Sequence, residues 1–251
     1  MARKTTKQTT EIVNKQNVNF PSYKLTIKCQ NQKQKDFVKQ LKDYNNEICF
    51  GIGSAGTGKS YLSIATALNL LKDNSNNFNK IIIFLTTCES TKELQIGFLK
   101  GELDTKIEPY KQNSINIIKK ILKNSGNENY EKITNELIEK EFIQFDLINF
   151  IKGKTYEDCI CILEEAEDLS REDMKLILTR KGGNTCKMIC TGDTMQINRS
   201  DLRKNKERSG LKFSADILED MDEVSVTTFE NDDIVRDKLL TEIIKRFEKN
   251  M

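Results

Sequence analysis

The stretch Gly53-Ser-Ala-Gly-Thr-Gly-Lys-Ser60 constrains this chain more than any other. It fits the pattern G-x-x-x-x-G-K-[ST]. The apolar run Ile48-Cys-Phe-Gly-Ile52 precedes it and reads as a short buried strand. Lys59 to Leu71 follows and reads as a helix, with Leu62, Ile64, Ala65, Leu68 and Leu71 apolar. A strand, a glycine-rich bend and a helix together form a phosphate cradle; the bend alone is only a turn. Gly53, Gly56 and Gly58 let the backbone curl, so the N–H groups of Ser54, Ala55 and Thr57 turn inward with theirs. The helix N-terminus adds partial positive charge at the same place. Lys59 can reach the outer phosphates of a triphosphate and the Ser60 hydroxyl can ligate Mg²⁺, with Tyr61 next in line. The chemistry implied is binding of a triphosphate with magnesium.

At 251 residues the chain is one large domain or one core with elaborations. The hydrophobic fraction is 37% and the charged fraction 31%, so its surface is heavily solvated. No apolar run approaches the roughly 20 residues of a membrane span. The N-terminus is basic with no apolar segment after it, unlike a secretory signal, so a cytoplasmic protein is expected. A net charge of +2 does not by itself announce a nucleic-acid binder. The chain has no histidine, which removes histidine catalysis, metal ligation and pH switching. Its seven cysteines form no disulfide framework. Cys159 and Cys161 alternate on one strand, and Cys186 and Cys190 flank another. A four-cysteine zinc set would need those strands to be neighbours; small buried hydrophobes in a reducing compartment are the expectation.

Residues 1–22 read as a flexible basic tail and 23–251 as a single domain. A helix is expected over 31–43. Continuous apolar runs at Ile81–Leu85, Asp158–Leu163 and Lys187–Thr191 suit parallel strands covered on both faces. Helical spacing marks Ser114–Leu122 and Tyr130–Lys140. Phe142–Ile151 alternates and reads as a strand or hairpin. Ser170 with Asp173 begins a helix running to about Arg180. Asn198–Arg208 is a charged loop, Leu211–Leu218 a short helix, Glu223–Phe229 a strand and Asp232–Lys249 a terminal helix. Alternating strands and helices predict an α/β sandwich with a mostly parallel sheet.

Ligands of such sheets bind at the carboxyl ends of the strands. Two strands besides the first end in suggestive groups there. Glu164-Glu165 can hold a metal's water shell through Glu164 and serve the attacking water through Glu165. The plain alternative is an acidic strand–helix corner, since Glu167 and Asp168 are close by. Gly192-Asp193-x-x-Gln196 closes another strand, and Gln196 there can bond both the γ-phosphate and the water. The alternative is an ordinary turn.

In combination these residues resemble motifs of the first core domain of superfamily 1 helicases. The chain is more closely similar to the PhoH-like family of P-loop ATPases. The likeness rests on Phe50–Ser60, Gly97-Phe-Leu-Lys-Gly101, Lys106 with Pro109-Tyr110, and Lys152-Gly-Lys-Thr155. It continues through Leu178-Thr-Arg180, Thr191–Ile197, Ser209-Gly-Leu211 and Asp233-Ile-Val-Arg236, spanning roughly residues 30–250. Departures are visible. The family tends to read Asp-Glu-Ala-Gln where this chain has Glu164-Glu-Ala-Glu167. An Arg-Pro pair is replaced by Thr87-Cys88. Lys152-Gly-Lys154 stands for Arg-Gly-Arg, keeping charge but losing bidentate phosphate geometry.

The resemblance implies a RecA-like three-layer P-loop core that binds and hydrolyses ATP with Mg²⁺. It implies Gln32 as the adenine contact, with Gln34 as an outside candidate. An arginine stabilising the transferring phosphoryl group would be Arg236 or Arg180. A single core has to take that arginine from a neighbour, so a homo-oligomer is expected, with a ring as one form of it. RNA or single-stranded nucleic acid is the implied second ligand, tracked by Arg199–Arg208, Lys152 and Lys154; a solvated charged face is the alternative. Two other functions stay open: a nucleotide-dependent switch or assembly protein with feeble turnover, and a P-loop small-molecule kinase, which the Gly-Asp-x-x-Gln turn disfavours.

Overall fold

The computed structural model describes residues 20–86, 100–197 and 209–235 together with 239, 242, 243 and 246; of 100–107 it describes the backbone. Six strands form one sheet: β1 (Ile48–Gly53), β2 (Lys80–Leu85), β3 (Ile143–Leu147), β4 (Cys159–Leu163), β5 (Cys186–Gly192) and β6 (Val224–Phe229). Their order is β3-β2-β4-β5-β1-β6, and every pairing among them is parallel. The expected three-layer α/β fold is therefore present, with a wholly parallel sheet among the described residues.

The central strands are apolar on both sides because helices cover both faces. On one face Ile81, Ile83, Ile160, Ile162 and Ile189 pack under four helices. These are α1 (Gln32–Lys42), α2 (Lys59–Lys72), α3 (Lys100–Asn124) and α4 (Tyr130–Glu139). On the other face Phe50, Ile82, Phe84, Cys161, Leu163 and Met188 pack under α5 (Arg171–Leu178) and α6 (Gly210–Leu218). Burying a full Leu or Ile side chain contributes about 1.5–3 kcal/mol, so these two layers dominate the stability of the chain.

Several elements differ from expectation in informative ways. β3 is a parallel strand, not part of a hairpin, and a 3-10 turn follows it at Ile148–Phe150. It sits at the sheet edge, where its middle residues are only half-buried, so its sequence alternates. The helix expected over Ser114–Leu122 is the second half of the 25-residue α3, which accommodates Pro109 internally. At the C-terminus a 3-10 turn spans Asn231–Asp233 and residues 234–235 are not helical, so the last helix begins beyond the expected Asp232. Residues 1–19 lie outside the described residues. Of the remaining expected tail, Phe20 packs edge-on against Phe142 at 4.7 Å between ring centroids, and Pro21 is buried. Tyr23 beyond it donates to the Leu68 carbonyl at 2.9 Å.

Candidate functional site

β1 delivers the chain into the glycine-rich bend, and α2 leaves it. Gly53, Gly56 and Gly58 all have positive φ, at 146°, 85° and 90°. The bend therefore has the conformation the sequence pattern requires, one that residues with a Cβ resist. A Cβ at Gly53 would also overlap the Phe229 carbonyl of β6. Gly58 is the N-cap of α2 and offers no side-chain hydrogen bond to its first turn. The N–H groups there are left for an anion, and the helix dipole adds to the attraction. Thr57 Oγ1 closes the loop on the Ser54 carbonyl at 3.0 Å. Lys59 Nζ lies across the bend, donating to the carbonyls of Gly53 (2.5 Å) and Ser54 (2.8 Å).

Four segments brace this loop. Asp193, at the end of β5, accepts from the Ala55 N–H at 2.9 Å and from the Met195 N–H at 3.0 Å. Asn231, after β6, accepts from Ser54 Oγ at 2.7 Å. The Val235 N–H donates to the Gly56 carbonyl at 3.0 Å. Gln34, on the buried face of α1, donates to the Thr57 carbonyl at 2.8 Å and accepts from the Gln30 N–H at 2.7 Å.

A cavity of about 640 Å³ opens over the loop, at the carboxyl ends of the strands. Gly56, Gly58, Lys59, Ser60 and Tyr61 line it from the loop and α2; Glu165, Glu167, Asp193 and Gln196 line it from beyond β4 and β5. Thr26, Lys28, Gln30, Gln34 and Lys120 form a further part of its wall. A second cavity of about 670 Å³ shares Asp193 with the first; it is walled by Asp216, Glu219, Glu230 and Asp232, with Lys212 paired to Asp216. That acidic lining repels a polyphosphate, whereas the first cavity carries Lys28, Lys59 and Lys120.

The acidic pair is divided by its backbone. Glu164 is buried and its Oε2 accepts from Ser114 of α3 at 2.9 Å, while its Oε1 has no hydrogen-bond partner. Burial pushes its carboxyl up, opposed by hydrogen bonding from Ser60 and Ser114. A buried orphan oxygen beside the Ser60 hydroxyl fits a metal's coordination shell, so Ser60 and Glu164 together suit Mg²⁺. Glu165 follows in a left-handed conformation, φ 53° and ψ 39°, which is costly for a residue with a side chain. That turn exposes Glu165 while Glu164 stays buried. Gln196 is also exposed, and its N–H closes the turn onto the Asp193 carbonyl at 2.9 Å.

Glu167 is fully buried with neither carboxyl oxygen hydrogen-bonded, and burial, then the charge of Glu165, pushes it up to about 9. A neutral carboxylic acid there lets a further acid face the cavity without repelling phosphate. It packs against Gly192, where any Cβ would overlap its Oε2.

The structure thus gathers the loop, Lys59, Ser60, Tyr61, Glu165 and Gln196 around one cavity, with Glu164 behind Ser60. It does not bring Gln32 there. Gln32 is exposed and bonds Asp36 at 2.9 Å, one helical turn on. Gln34 is the glutamine at the loop. Arg180 follows α5 on the amino-end side of the strands, with its Nε on the Leu176 carbonyl at 3.3 Å and its own carbonyl accepting from the Tyr156 N–H. Arg236 and Arg199–Arg208 lie outside the described residues, as do Thr87-Cys88. Sequence reasoning missed Ser114, Asn231 and the role of Glu167. For Gln34 a signal existed: it shares the i, i+3, i+4, i+7 stripe with Phe37, Val38 and Leu41.

The profile of the PhoH-like protein family matches residues 26–248. The chain is 34% identical over 224 residues to a PhoH-like protein of Bacillus subtilis, covering 89% of this chain and 65% of that one. It is 34% identical over 228 residues to a PhoH-like protein of Mycobacterium tuberculosis, covering 89% and 58%. To the protein PhoH of Escherichia coli it is 28% identical over 213 residues, covering 85% and 56%. The chain therefore spans between about half and two thirds of the length of these relatives.

Proposed function

The chain belongs to the PhoH-like family, and from that premise we propose that it binds ATP with magnesium and hydrolyses it, coupling turnover to RNA or single-stranded nucleic acid. The observation that carries this reading is the convergence of Lys59, Ser60, Glu165 and Gln196 on one cavity at the carboxyl ends of β1, β4 and β5.

In this reading the bend and the first turn of α2 bind the phosphates, and Lys59 leaves the loop carbonyls for the β- and γ-phosphate oxygens. Bound Mg²⁺ would neutralise charge on the phosphates, held by Ser60 directly and by Glu164 through its shell. Glu165 accepts the proton of the attacking water as the oxygen bonds to the γ-phosphorus and the bond to the β–γ bridging oxygen breaks. Gln196 orients that water and reports whether the γ-phosphate is present. Arg236 stays the first candidate for the arginine of the site; Arg180, at the opposite ends of the strands, would serve only a neighbouring subunit. Leu239 and Ile243 are 69% and 41% exposed, an apolar pair that favours association of copies. Lys152 is exposed, in keeping with a basic surface for a phosphate backbone.

A second reading, a nucleotide-dependent switch with feeble turnover, is favoured by Glu164: its burial and its bond to Ser114 hold it back in the protein. Steady-state ATPase assays with and without single-stranded RNA separate the two. Turnover stimulated by the nucleic acid supports hydrolysis coupled to it; tight nucleotide binding without turnover supports the switch.

A further inference from the structure

We propose that Cys159, Cys161 and Cys186 form a site for one soft, thiophilic metal ion of the zinc class, towards the amino ends of β4 and β5 and away from the phosphate loop. β4 and β5 are neighbours, with Cys159 level with Cys186 and Leu163 level with Cys190. The structure therefore brings three sulfurs together and leaves Cys190 at the other end of the strand. The three sulfurs are separated by 3.7, 3.9 and 3.9 Å.

That convergence is more than burial requires. Residues two apart on one strand stand about 6.6 Å apart when their side chains rise in parallel. Cys159 and Cys161 instead lean together until their sulfurs are 3.7 Å apart, and Cys186 leans in from the next strand. Tetrahedral zinc, about 2.3 Å from each sulfur, needs sulfurs about 3.8 Å apart. A point roughly 0.6 Å above the plane of these three lies about 2.3 Å from all of them.

The surroundings suit a thiolate site. The charges of Lys181 and Lys80 reach Cys186 and Cys159 respectively. These two cations offset the single negative charge that three thiolates leave on a divalent ion. On binding, the aqua ion sheds water and the three thiol protons pass to solvent.

Access runs through two loops that clamp each other over the cluster. The Tyr156 N–H donates to the Arg180 carbonyl at 2.9 Å, and the Gly182 N–H donates to the Tyr156 carbonyl at 2.8 Å. Thr155, Glu157, Gly183 and Asn184 around that clamp are exposed, so the sulfurs lie one layer beneath the surface.

The test is titration of the reduced, metal-stripped full chain with zinc, and with cobalt(II) as its spectroscopic stand-in. One equivalent per chain is expected, with the thiolate-to-cobalt charge-transfer band that carboxylate-bound cobalt lacks. Cys161→Ala is expected to weaken binding about 100-fold or more, since one of three thiolates is lost. Cys190→Ala, equally buried on β5, is expected to leave binding unchanged. Absence of that band in the folded wild-type chain overturns the proposal, as does a band of full strength in Cys161→Ala. Should Cys161→Ala fail to fold, alkylation of the wild-type chain in mild denaturant decides. Zinc is expected to slow labelling at Cys159, Cys161 and Cys186 selectively, and equal rates with and without zinc overturn it.

Discussion

Glu167 holds a proton that its unfolded form would release. Its carboxyl rises from 4.5 to about 9 through burial and the nearby Glu165 charge. Between those values the folded chain binds more protons than the unfolded one, so this residue costs stability progressively as pH rises from about 4.5 to about 9. Glu167→Gln keeps the shape and removes the titration. It is expected to raise stability at about pH 8 by roughly 1–3 kcal/mol and to change little near pH 4.5, as read from urea midpoints at the two pH values. Equal midpoints at pH 8 would show that Glu167 is ionised in the fold. Glu165→Gln is a different case, since this side chain is exposed to the cavity. It should bind magnesium ATP as the wild type does while turnover falls about 10²–10⁴-fold. A Glu165→Gln chain that still hydrolyses ATP at the wild-type rate removes the residue from proton transfer.

At the scale of elements, α1 is a brace for the phosphate loop. Gln34→Ala removes the bond to the Thr57 carbonyl and is expected to cost about 1–3 kcal/mol, because a buried acceptor is left unmade. Weaker nucleotide binding should accompany that loss. Gln32→Ala, on the solvent side of the same helix, should stay within about 0.5 kcal/mol of wild type. Measuring both variants by denaturant unfolding and nucleotide titration identifies the glutamine that matters. The contrast also shows what the sequence discloses. The start of α1 was legible from Asn31, whose side chain caps the Gln34 N–H at 2.8 Å. Which glutamine faced the loop depended on helical phase, and the apolar partners Phe37, Val38 and Leu41 carried that information. β2, β4 and β5 were legible because strands covered on both faces read as unbroken apolar runs. β3 was ambiguous because an edge strand alternates, and the first half of α3 because its sequence is polar and contains Pro109. Ser114 and Asn231 were not legible: each reaches the site only through tertiary packing, from α3 and from the turn after β6.

Across the whole molecule, the sheet places its two chemically distinctive clusters at opposite ends of its strands. The carboxyl ends of β1, β4 and β5 carry the phosphate loop and the acids, and the amino ends of β4 and β5 carry the three cysteines. No described residue supplies an arginine to the nucleotide cavity. If the arginine comes from a neighbouring copy, ATPase rate per chain should rise with protein concentration in step with assembly, followed by sedimentation. A rate independent of concentration across the assembly transition would argue for a self-sufficient subunit. All of this rests on a triphosphate seated between Gly53 and Ser60, and calorimetric titration of magnesium ATP into the wild-type and Lys59→Ala chains tests it most directly. One nucleotide per wild-type chain and little or no heat from Lys59→Ala is the result predicted; no uptake by the wild type, or equal uptake by both chains, would contradict it.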